Sequence, residues 1–319
     1  MKISLITPAA KQSKNGNRTT ALRWARLLRG LGHQVRIDVE YDGAATDVMI
    51  AIHAWRSAAS VRRYRDQAPT GPLIVALAGT DVNTYLATDR AVTLSTMDAA
   101  DALICLHELI GQAIPVHLRD KLQIVRQSAQ PLAAPRRPGK RNFDICVIGH
   151  LRDEKDPFRA ALAARQLGDA SKIRIRHLGK AHTPEFATQA RAEMAANPRY
   201  HWFGEVPGWR VRRALTTTQA MVISSRQEGG ANVVSEAIAA GVPVIASDIA
   251  GNIGLLGPDY PGYYPVGNTD ALARLLARIE AEADFMRELE GHIHRLQPLF
   301  LPNHEAAALE NIVRLATKN

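Results

Sequence analysis

Two glutamates in the second half of the chain flank a glycine-containing turn that suits an anionic ligand. Glu228 and Glu236 have seven residues between them, and the turn at Gly229 and Gly230 leads into a predicted helix. Glycine lets backbone amides approach a ligand closely, and the positive end of a helix dipole attracts anions. We therefore expect a phosphate group to bind the amides of residues 230–232.

Glu236 lies one turn further along the same predicted helix. A carboxylate beside a diphosphate is repelled by it, so the partner of Glu236 must be a different group. The two adjacent hydroxyls of a ribose fit, because two acceptor oxygens can receive two O–H donors. This helix start therefore favours a nucleoside diphosphate, and the alternative is a capped helix with a surface glutamate.

A second charged segment, GHLRDEK at residues 149–155, follows the first predicted strand of the second half. Arg152 and Lys155 could stabilise the negative charge that grows on a departing diphosphate. Losing one preorganised partner of this kind typically costs on the order of 10²–10³ in rate. No Asp-x-Asp occurs in the chain, so we expect no metal ion and no other cofactor. The segment is also consistent with an exposed charge cluster.

Short apolar runs alternate with helical patterns in the first half and must position its polar loops. The predicted strands are 2–7, 35–39, 47–53, 73–78, 102–106 and 122–127. A helix predicted at 18–31 separates the first two strands, which implies a right-handed crossover and a parallel sheet.

The alternation begins again after residues 129–142, AQPLAAPRRPGKRN, whose prolines and glycine exclude a helix or a central strand. We interpret this segment as a linker between domains. The strands predicted beyond it are 143–148, 173–177, 200–203, 220–224, 242–247 and 262–266.

The predicted fold class is α/β, with two Rossmann-like, doubly wound domains facing each other across a cleft. We place an N-terminal domain at residues 1–135 and a C-terminal domain at 142–298, and expect a last helix at about 303–319 to pack back on the first domain. Ligands of such sheets bind at the carboxyl ends of the strands, so the cleft is the expected active site. Neither half carries G-x-G-x-x-G after its first strand, which argues against nicotinamide or flavin.

Composition narrows the range of partners. The chain has 319 residues and a formal net charge of +9. Its apolar runs are too short to cross a membrane and its start does not resemble a secretory signal, so we expect a cytoplasmic protein without stable membrane insertion. It lacks an arginine-rich tail and an aromatic RNA-binding motif, so small anions are favoured over nucleic acid. A basic surface without a specific ligand is the alternative, and the oligomeric state stays open.

The spacing of Glu228 and Glu236 resembles the E-x7-E signature of retaining family 4 glycosyltransferases with the GT-B fold, and GHLRDEK is similar to their G-x-L-x-x-x-K segment. The resemblance implies a UDP-sugar donor whose diphosphate contacts Arg152 and Lys155, whose sugar contacts Glu228 and whose ribose contacts Glu236. It also implies that residues 204–207, followed by Trp209 and Arg210, lie beside the nucleobase, and an ordinary turn before a helix is the alternative. The donor-binding residues so implied are Gly149, Arg152, Lys155, Glu205, Glu228, Gly229, Gly230, Ala231, Asn232, Val233 and Glu236.

A polar loop of the first half, KQSKNGN at residues 11–17, precedes the first predicted helix and could hold a second anion. Lys14, Gly16, Asn17 and Arg18 supply cations and a helix N-terminus for it. These residues, together with Thr80, are the predicted acceptor-binding residues.

Three polar residues at strand ends of the first half are predicted to point into the same cleft. They are His53, Thr80 and Asp81. In the family that the chain resembles, a histidine and a Gly-Thr-Asp-like segment line the acceptor and the reacting carbon. His53 could equally be a hydrogen-bonded core residue, and Thr80 or Asp81 could cap a helix.

The first half also resembles a narrower group, the selenosugar synthases of selenoneine biosynthesis, from MKISLITPA through KNGNRTTALRWARLLRGLGH to LAGTDVN. That resemblance implies that selenophosphate attacks the anomeric carbon of UDP-N-acetylglucosamine or UDP-glucose. The catalytic residues would be Arg152, Lys155, Glu228, His53 and Asp81.

Other functions of the same fold compete with this interpretation. One is transfer to a hydroxyl group of a glycan or lipid, and another is a UDP-sugar 2-epimerase, which needs no acceptor. A nucleotide-sugar binder without activity is the remaining alternative. The donor motifs argue against it, because they retain all four charged residues, Arg152, Lys155, Glu228 and Glu236.

Overall fold

The structure, a computed structural model, describes residues 1–13 and 16–318. They form two compact units, the first made of Met1–Ser128 and the described residues from Pro302 onwards, the second of Ala129–Leu301. These bounds differ from the predicted 1–135 and 142–298, because residues 129–141 belong to the second unit. The amide of Ala129 donates to the carbonyl of Phe300 at 3.0 Å within that unit.

Twelve strands form in the described residues, one for each predicted run and mostly shorter than predicted. They are β1 Lys2–Ile6, β2 Gln34–Asp38, β3 Val48–Ile52, β4 Leu73–Ala76, β5 Ala102–Cys105, β6 Leu122–Ile124, β7 Phe143–Ile148, β8 Ile173–Leu178, β9 Tyr200–Trp202, β10 Ala220–Ile223, β11 Val244–Ser247 and β12 Tyr263–Tyr264. All pairings between them are parallel.

The helices alternate with these strands. They are α1 Gly16–Gly30, α2 Ala58–Gln67, α3 Leu86–Thr88, α4 Arg90–Ala99, α5 Ile110–Ala113, α6 Arg159–Arg165, α7 Pro184–Ala196, α8 Gly208–Thr217, α9 Asn232–Ala239, α10 Ala250–Leu256, α11 Thr269–Ala281, α12 Ala283–Leu296 and α13 Pro302–Ala316. A π-helical turn at Asp81–Tyr85 and 3₁₀ turns at Val116–Lys121, Asp153–Lys155 and Gln297–Phe300 complete the described elements.

Each unit contains one six-stranded sheet. The order is β2-β1-β3-β4-β5-β6 in the first and β12-β11-β10-β7-β8-β9 in the second. In the first sheet β2 lies on one side of β1, and β3 to β6 lie on the other side. In the second sheet β8 and β9 lie on one side of β7, and β10 to β12 lie on the other side. This reversal is the mark of a doubly wound sheet, so the predicted fold class of each half is confirmed, and it creates a ligand crevice where the strand order reverses.

Helix α13, at the end of the chain, belongs to the first unit and packs with α1 on one face of its sheet. Trp24 of α1 and Ile312 of α13 share a buried core there. The fully buried carboxylate of Glu305 accepts hydrogen bonds from the Trp24 indole at 2.7 Å and the Arg23 guanidinium at 2.9 Å. It also accepts one from the backbone amide of Ser128 at 2.9 Å. This network joins α13 to α1 and to Ser128, where the first segment of this unit ends.

Candidate active site

The strand order of the second unit brings its two charged segments together. Strands β7 and β10 are neighbours, with Ile145 opposite Ala220. Residues 149–155 leave the carboxyl end of β7, and residues 224–230 leave the carboxyl end of β10. The two loops therefore lie side by side at the point where the strand order reverses, which is where doubly wound sheets bind ligands.

An ion pair joins the two loops. The ammonium group of Lys155 donates a hydrogen bond to Oε1 of Glu228, and the hydroxyl of Ser225 donates to the same oxygen at 2.7 Å. The side chains of Lys155 and Glu228 are only 19% and 13% exposed. Partly desolvated charges of this kind need a partner, so each residue holds the other in place.

Backbone contacts fix the spacing of the same loops. The hydroxyl of Ser224 lies 3.0 Å from the carbonyl of Lys155 and 2.9 Å from that of Asp156. The amide of Arg226 donates to the carbonyl of Glu154 at 2.8 Å. The loops thus form one framework, and the ion pair is part of it.

Arg152 stands at the edge of this framework, immediately before the 3₁₀ turn. Its Nε lies 3.0 Å from Oε1 of Glu154, and its side chain is 37% exposed. An exposed pair of this type contributes little free energy, so the guanidinium can exchange its partner for a ligand anion at small cost.

A buried histidine that the sequence motifs did not identify supports the loop after β7 through a hydrogen bond to its backbone. His177, 1% exposed, places Nε2 at 3.1 Å from the carbonyl of Gly149 and Nδ1 at 3.0 Å from the hydroxyl of Tyr200. A carbonyl only accepts, so Nε2 carries the hydrogen and Nδ1 accepts from the tyrosine. Burial lowers the pKa of His177 to about 4, which keeps the ring neutral at pH 7.

Two glycines outside the predicted motifs allow the close approach of backbone in this region. A Cβ on Gly179 would overlap the carbonyl of Gly149. A Cβ on Gly251, at the start of α10, would overlap the carbonyl of Glu228 and lie 3.0 Å from its Cβ. Any larger residue at either position must shift one of the charged loops.

Helix α9 begins where the sequence predicted an anion site. Gly230 has a φ of +124°, a conformation that favours glycine, and Ala231 is the N-cap residue. The N-cap contributes no side-chain hydrogen bond, and the first turn contains no acidic residue. Glu236 is half-buried further along this helix, and Glu205 is exposed in the loop after β9. Gly229 and Val233 are half-buried on either side of the helix start.

In the first unit, His53 and Asp81 form a buried pair at the carboxyl ends of β3 and β4. Nδ1 of His53 lies 2.7 Å from Oδ1 of Asp81, and Nε2 lies 2.9 Å from the hydroxyl of Thr80. Asp81 also accepts hydrogen bonds from the amides of Ala54 and Ala78, both at 2.8 Å. His53 and Asp81 are 1% and 0% exposed.

These contacts occupy both ring nitrogens and both carboxylate oxygens of the pair. His53 has a φ of +76°, so the backbone at the end of β3 adopts a conformation that costs free energy outside glycine. The pair therefore has a structural task, which is to hold this strained turn beside the π-helical turn at Asp81. A catalytic role of either side chain stays a prediction.

The predicted acceptor residues lie at the start of α1. Gly16 opens the helix, and Asn17 and Arg18 occupy its first turn, which contains no acidic residue. Arg18 is 7% exposed. Lys14, the remaining member of this set, lies outside the described residues.

Within residues 1–13 and 16–318, no group of three or more histidine, cysteine, aspartate or glutamate side chains is arranged to hold a metal ion. No helix in the same residues is long and apolar enough to cross a bilayer.

Comparison with known proteins decides the family. Residues 133–291 match the family described as glycosyl transferases group 1. The chain is a glycosyltransferase, and residues 133–291 form its group 1 domain. The match covers both charged loops and α9, so the second unit is the part that carries the family pattern.

Two curated relatives extend the similarity over most of the enzyme. TuaC of Bacillus subtilis, assigned as a teichuronic acid biosynthesis glycosyltransferase, is 24% identical over 93% of this chain and 78% of its own length. Glycosyltransferase 1 domain-containing protein 1 of Xenopus tropicalis is 21% identical over 92% of each chain.

Solved structures share the fold at low sequence identity. A sucrose-phosphate synthase from Thermosynechococcus elongatus superposes with a TM-score of 0.78 and 16% identity over 98% of both chains. Anabaena HepE in complex with UDP has a TM-score of 0.78 and 12% identity, covering 98% of this chain and 99% of HepE. These matches confirm the GT-B fold predicted for the enzyme.

Proposed function

We propose that this glycosyltransferase takes a hexose from a UDP-sugar and that residues 149–155 and 228–236 bind the donor. The ion pair between Lys155 and Glu228 supports this most directly, because it joins a cation and a carboxylate from two loops at the strand-order reversal. HepE, which shares the fold, was solved with UDP and with UDP-glucose.

The charges of this site suit the departure of a diphosphate. Lys155 has three N–H donors and uses one on Glu228, so it can serve an anion without losing its partner. Arg152 adds a second cation with an exposed partner, and the start of α9, whose first turn contains no acidic residue, adds the positive end of a helix dipole. All three groups would stabilise the charge that develops on UDP as the sugar–oxygen bond breaks.

The two glutamates would hold the uncharged parts of the donor. Glu228 is held by Lys155 and Ser225, and its carboxylate would accept hydrogen bonds from sugar hydroxyls. Glu236 would accept the two hydroxyls of the ribose. Replacing Glu236 with alanine should weaken UDP binding by roughly 10- to 150-fold, because a hydrogen bond to a charged group contributes about 1.5–3 kcal/mol. Exposed Glu288 on α12 provides a matched control.

For the acceptor we propose selenophosphate. Its selenium lone pair would form the bond to the anomeric carbon while the carbon–oxygen bond to UDP breaks and UDP leaves with the electron pair. The nucleophile is already anionic, so the step needs no general base, in keeping with the fully partnered His53. The start of α1, with Asn17 and Arg18 and no acidic residue in its first turn, suits such an anion.

A hydroxyl group of a glycan is the second candidate acceptor. It is supported by the similarity to TuaC over 93% of this chain, since TuaC is assigned to teichuronic acid biosynthesis. A UDP-sugar 2-epimerase is the further alternative, and it differs by requiring no acceptor.

A single set of incubations separates these functions. The enzyme would be mixed with UDP-glucose or UDP-N-acetylglucosamine, alone, with selenophosphate or with oligosaccharides, and products would be identified by mass spectrometry. We expect UDP and a selenium-containing sugar only when selenophosphate is present. UDP release with oligosaccharides alone would replace selenophosphate by a hydroxyl acceptor. Release of a free sugar or its epimer without any acceptor would contradict transfer.

A further inference from the structure

Two segments of the second unit carry an unbalanced positive charge. Residues 129–143 and 206–219 together contain seven arginine or lysine residues and no aspartate or glutamate. The formal charge of the whole chain is +9. Much of the excess therefore comes from two short stretches of sequence, which lie outside residues 149–155 and 228–236.

These segments lie against each other in the structure. The amide of Arg137 donates to the carbonyl of Thr216 at 2.8 Å, at the end of α8. The guanidinium of Arg212, on α8, donates to the carbonyls of Gln130 and Pro131 at 3.0 and 2.7 Å. Charges that are far apart in the sequence are thus gathered on one side of the second unit.

Most of these cations face solvent. Arg212 serves backbone carbonyls, as does Arg136, which donates to the carbonyl of Thr218 at 2.8 Å. The other five are exposed, and no carboxylate within the described part of the chain forms an ion pair with them: Arg137, Lys140, Arg141, Arg210 and Arg213. Unlike the cations of the donor loops, they are available to an external anion.

Two of these cations, Arg210 and Arg213, line a groove of about 590 Å³ beside α8 together with two aromatic rings. Trp209 is 61% exposed and Phe203 is 41% exposed. The guanidinium of Arg210 lies 5.9 Å from the Trp209 ring, and that of Arg176 lies 5.3 Å from the Phe203 ring. We call Trp209, Phe203 and the five exposed cations the α8 surface.

We infer that the α8 surface docks the enzyme on an anionic lipid bilayer. Tryptophan and phenylalanine beside basic residues suit the boundary between headgroups and acyl chains, where the rings enter the apolar layer and the cations meet lipid phosphates. Phosphate-bearing single-stranded nucleic acid would also meet the charge. It would stack its bases on open ring faces, yet arginines already cover one face of each ring.

Co-sedimentation with vesicles tests this inference without any measurement of activity. We expect the enzyme to bind vesicles of phosphatidylcholine with phosphatidylglycerol, not vesicles of phosphatidylcholine alone, and to dissociate as salt rises. Arg210→Gln combined with Arg213→Gln should lower the partition coefficient by roughly 25-fold, since each basic residue near an anionic surface contributes roughly fivefold. Arg191→Gln with Arg274→Gln, exposed residues on α7 and α11, should leave it unchanged.

Tryptophan fluorescence supplies a second readout. Burial of the Trp209 ring in the bilayer should shift the emission to shorter wavelength on addition of anionic vesicles, and Trp209→Phe should abolish the shift while retaining most of the binding. Absence of vesicle binding, or binding that the α8 variants do not weaken, would overturn the inference. Binding of a single-stranded oligonucleotide without vesicle binding would overturn it in favour of nucleic acid. None of these results depends on the donor or acceptor proposed above.

Discussion

The buried imidazole of His177 predicts how the second unit responds to acid. Burial lowers its pKa to about 4 in the folded chain, compared with 6.5 for an ordinary histidine. Between these values the unfolded chain binds a proton that the folded chain does not. The free energy of unfolding should therefore fall as the pH drops from about 6.5 towards 4.

The two pKa values set the size of the effect. One pH unit corresponds to about 1.4 kcal/mol, so the complete loss is about 3 kcal/mol. About 2 kcal/mol of this should be lost between pH 7 and pH 5. The physical cause is burial, which penalises the charged form of the ring.

Hydrogen exchange resolved by peptide can measure the effect in the second unit alone. The opening free energy of β7 and β8 would be compared at pH 7 and pH 5 in the native enzyme and in His177→Gln, which keeps a donor but does not titrate. We expect the variant to lose much less between the two pH values than the native enzyme. His201→Gln, at an exposed position on β9, is the control. Equal losses in native enzyme and His177→Gln would refute both the neutral ring and its assigned tautomer.

Three further substitutions test the framework of the site and the first unit. Gly251→Ala should push the backbone of Glu228 out of place and reduce kcat/KM on the order of 10²-fold, measured as steady-state UDP release. Gly291→Ala on α12, where an added Cβ would meet only the end of the Arg295 side chain at 3.7 Å, should not reduce it. Lys155→Met should lower kcat by about 10²–10³ with the fold unchanged by circular dichroism, and normal turnover would remove the lysine from the mechanism. Glu305→Ala removes the carboxylate that pairs with the guanidinium of Arg23. It should lower the free energy of unfolding, measured by denaturant titration, by about 3–5 kcal/mol. A loss of less than about 1 kcal/mol would show that this network does not stabilise the fold.

The secondary structure was predictable because its signals are local. Each of the twelve strands is a short apolar run bounded by polar or glycine-containing turns, and the parallel order follows from helices between them. Helix α7, Pro184–Ala196, begins at a proline, a residue favoured in the first turn of a helix, and its bounds agree with the prediction.

The supports of the site were not predictable, because they depend on which elements pack together. Nothing near His177 in the sequence indicates that it will face the carbonyl of Gly149, 28 residues away. The need for glycine at position 251 arises only when α10 meets the loop after β10. Glu305 similarly acquires its partner Arg23 from a helix 282 residues away.

The pairing of charges suits the proposed donor site, which must keep its geometry and also receive a diphosphate. An unpaired ammonium at the 19% exposure of Lys155 would be costly, and Glu228 removes that cost by neutralising it. A diphosphate would add negative charge, which Lys155 alone could not balance while it holds a carboxylate. We propose that Arg152 supplies the additional cation, because its own partner Glu154 is exposed and readily released to solvent. The site would then combine one rigid ion pair, which fixes geometry, with one exchangeable pair, which supplies the charge needed as UDP departs.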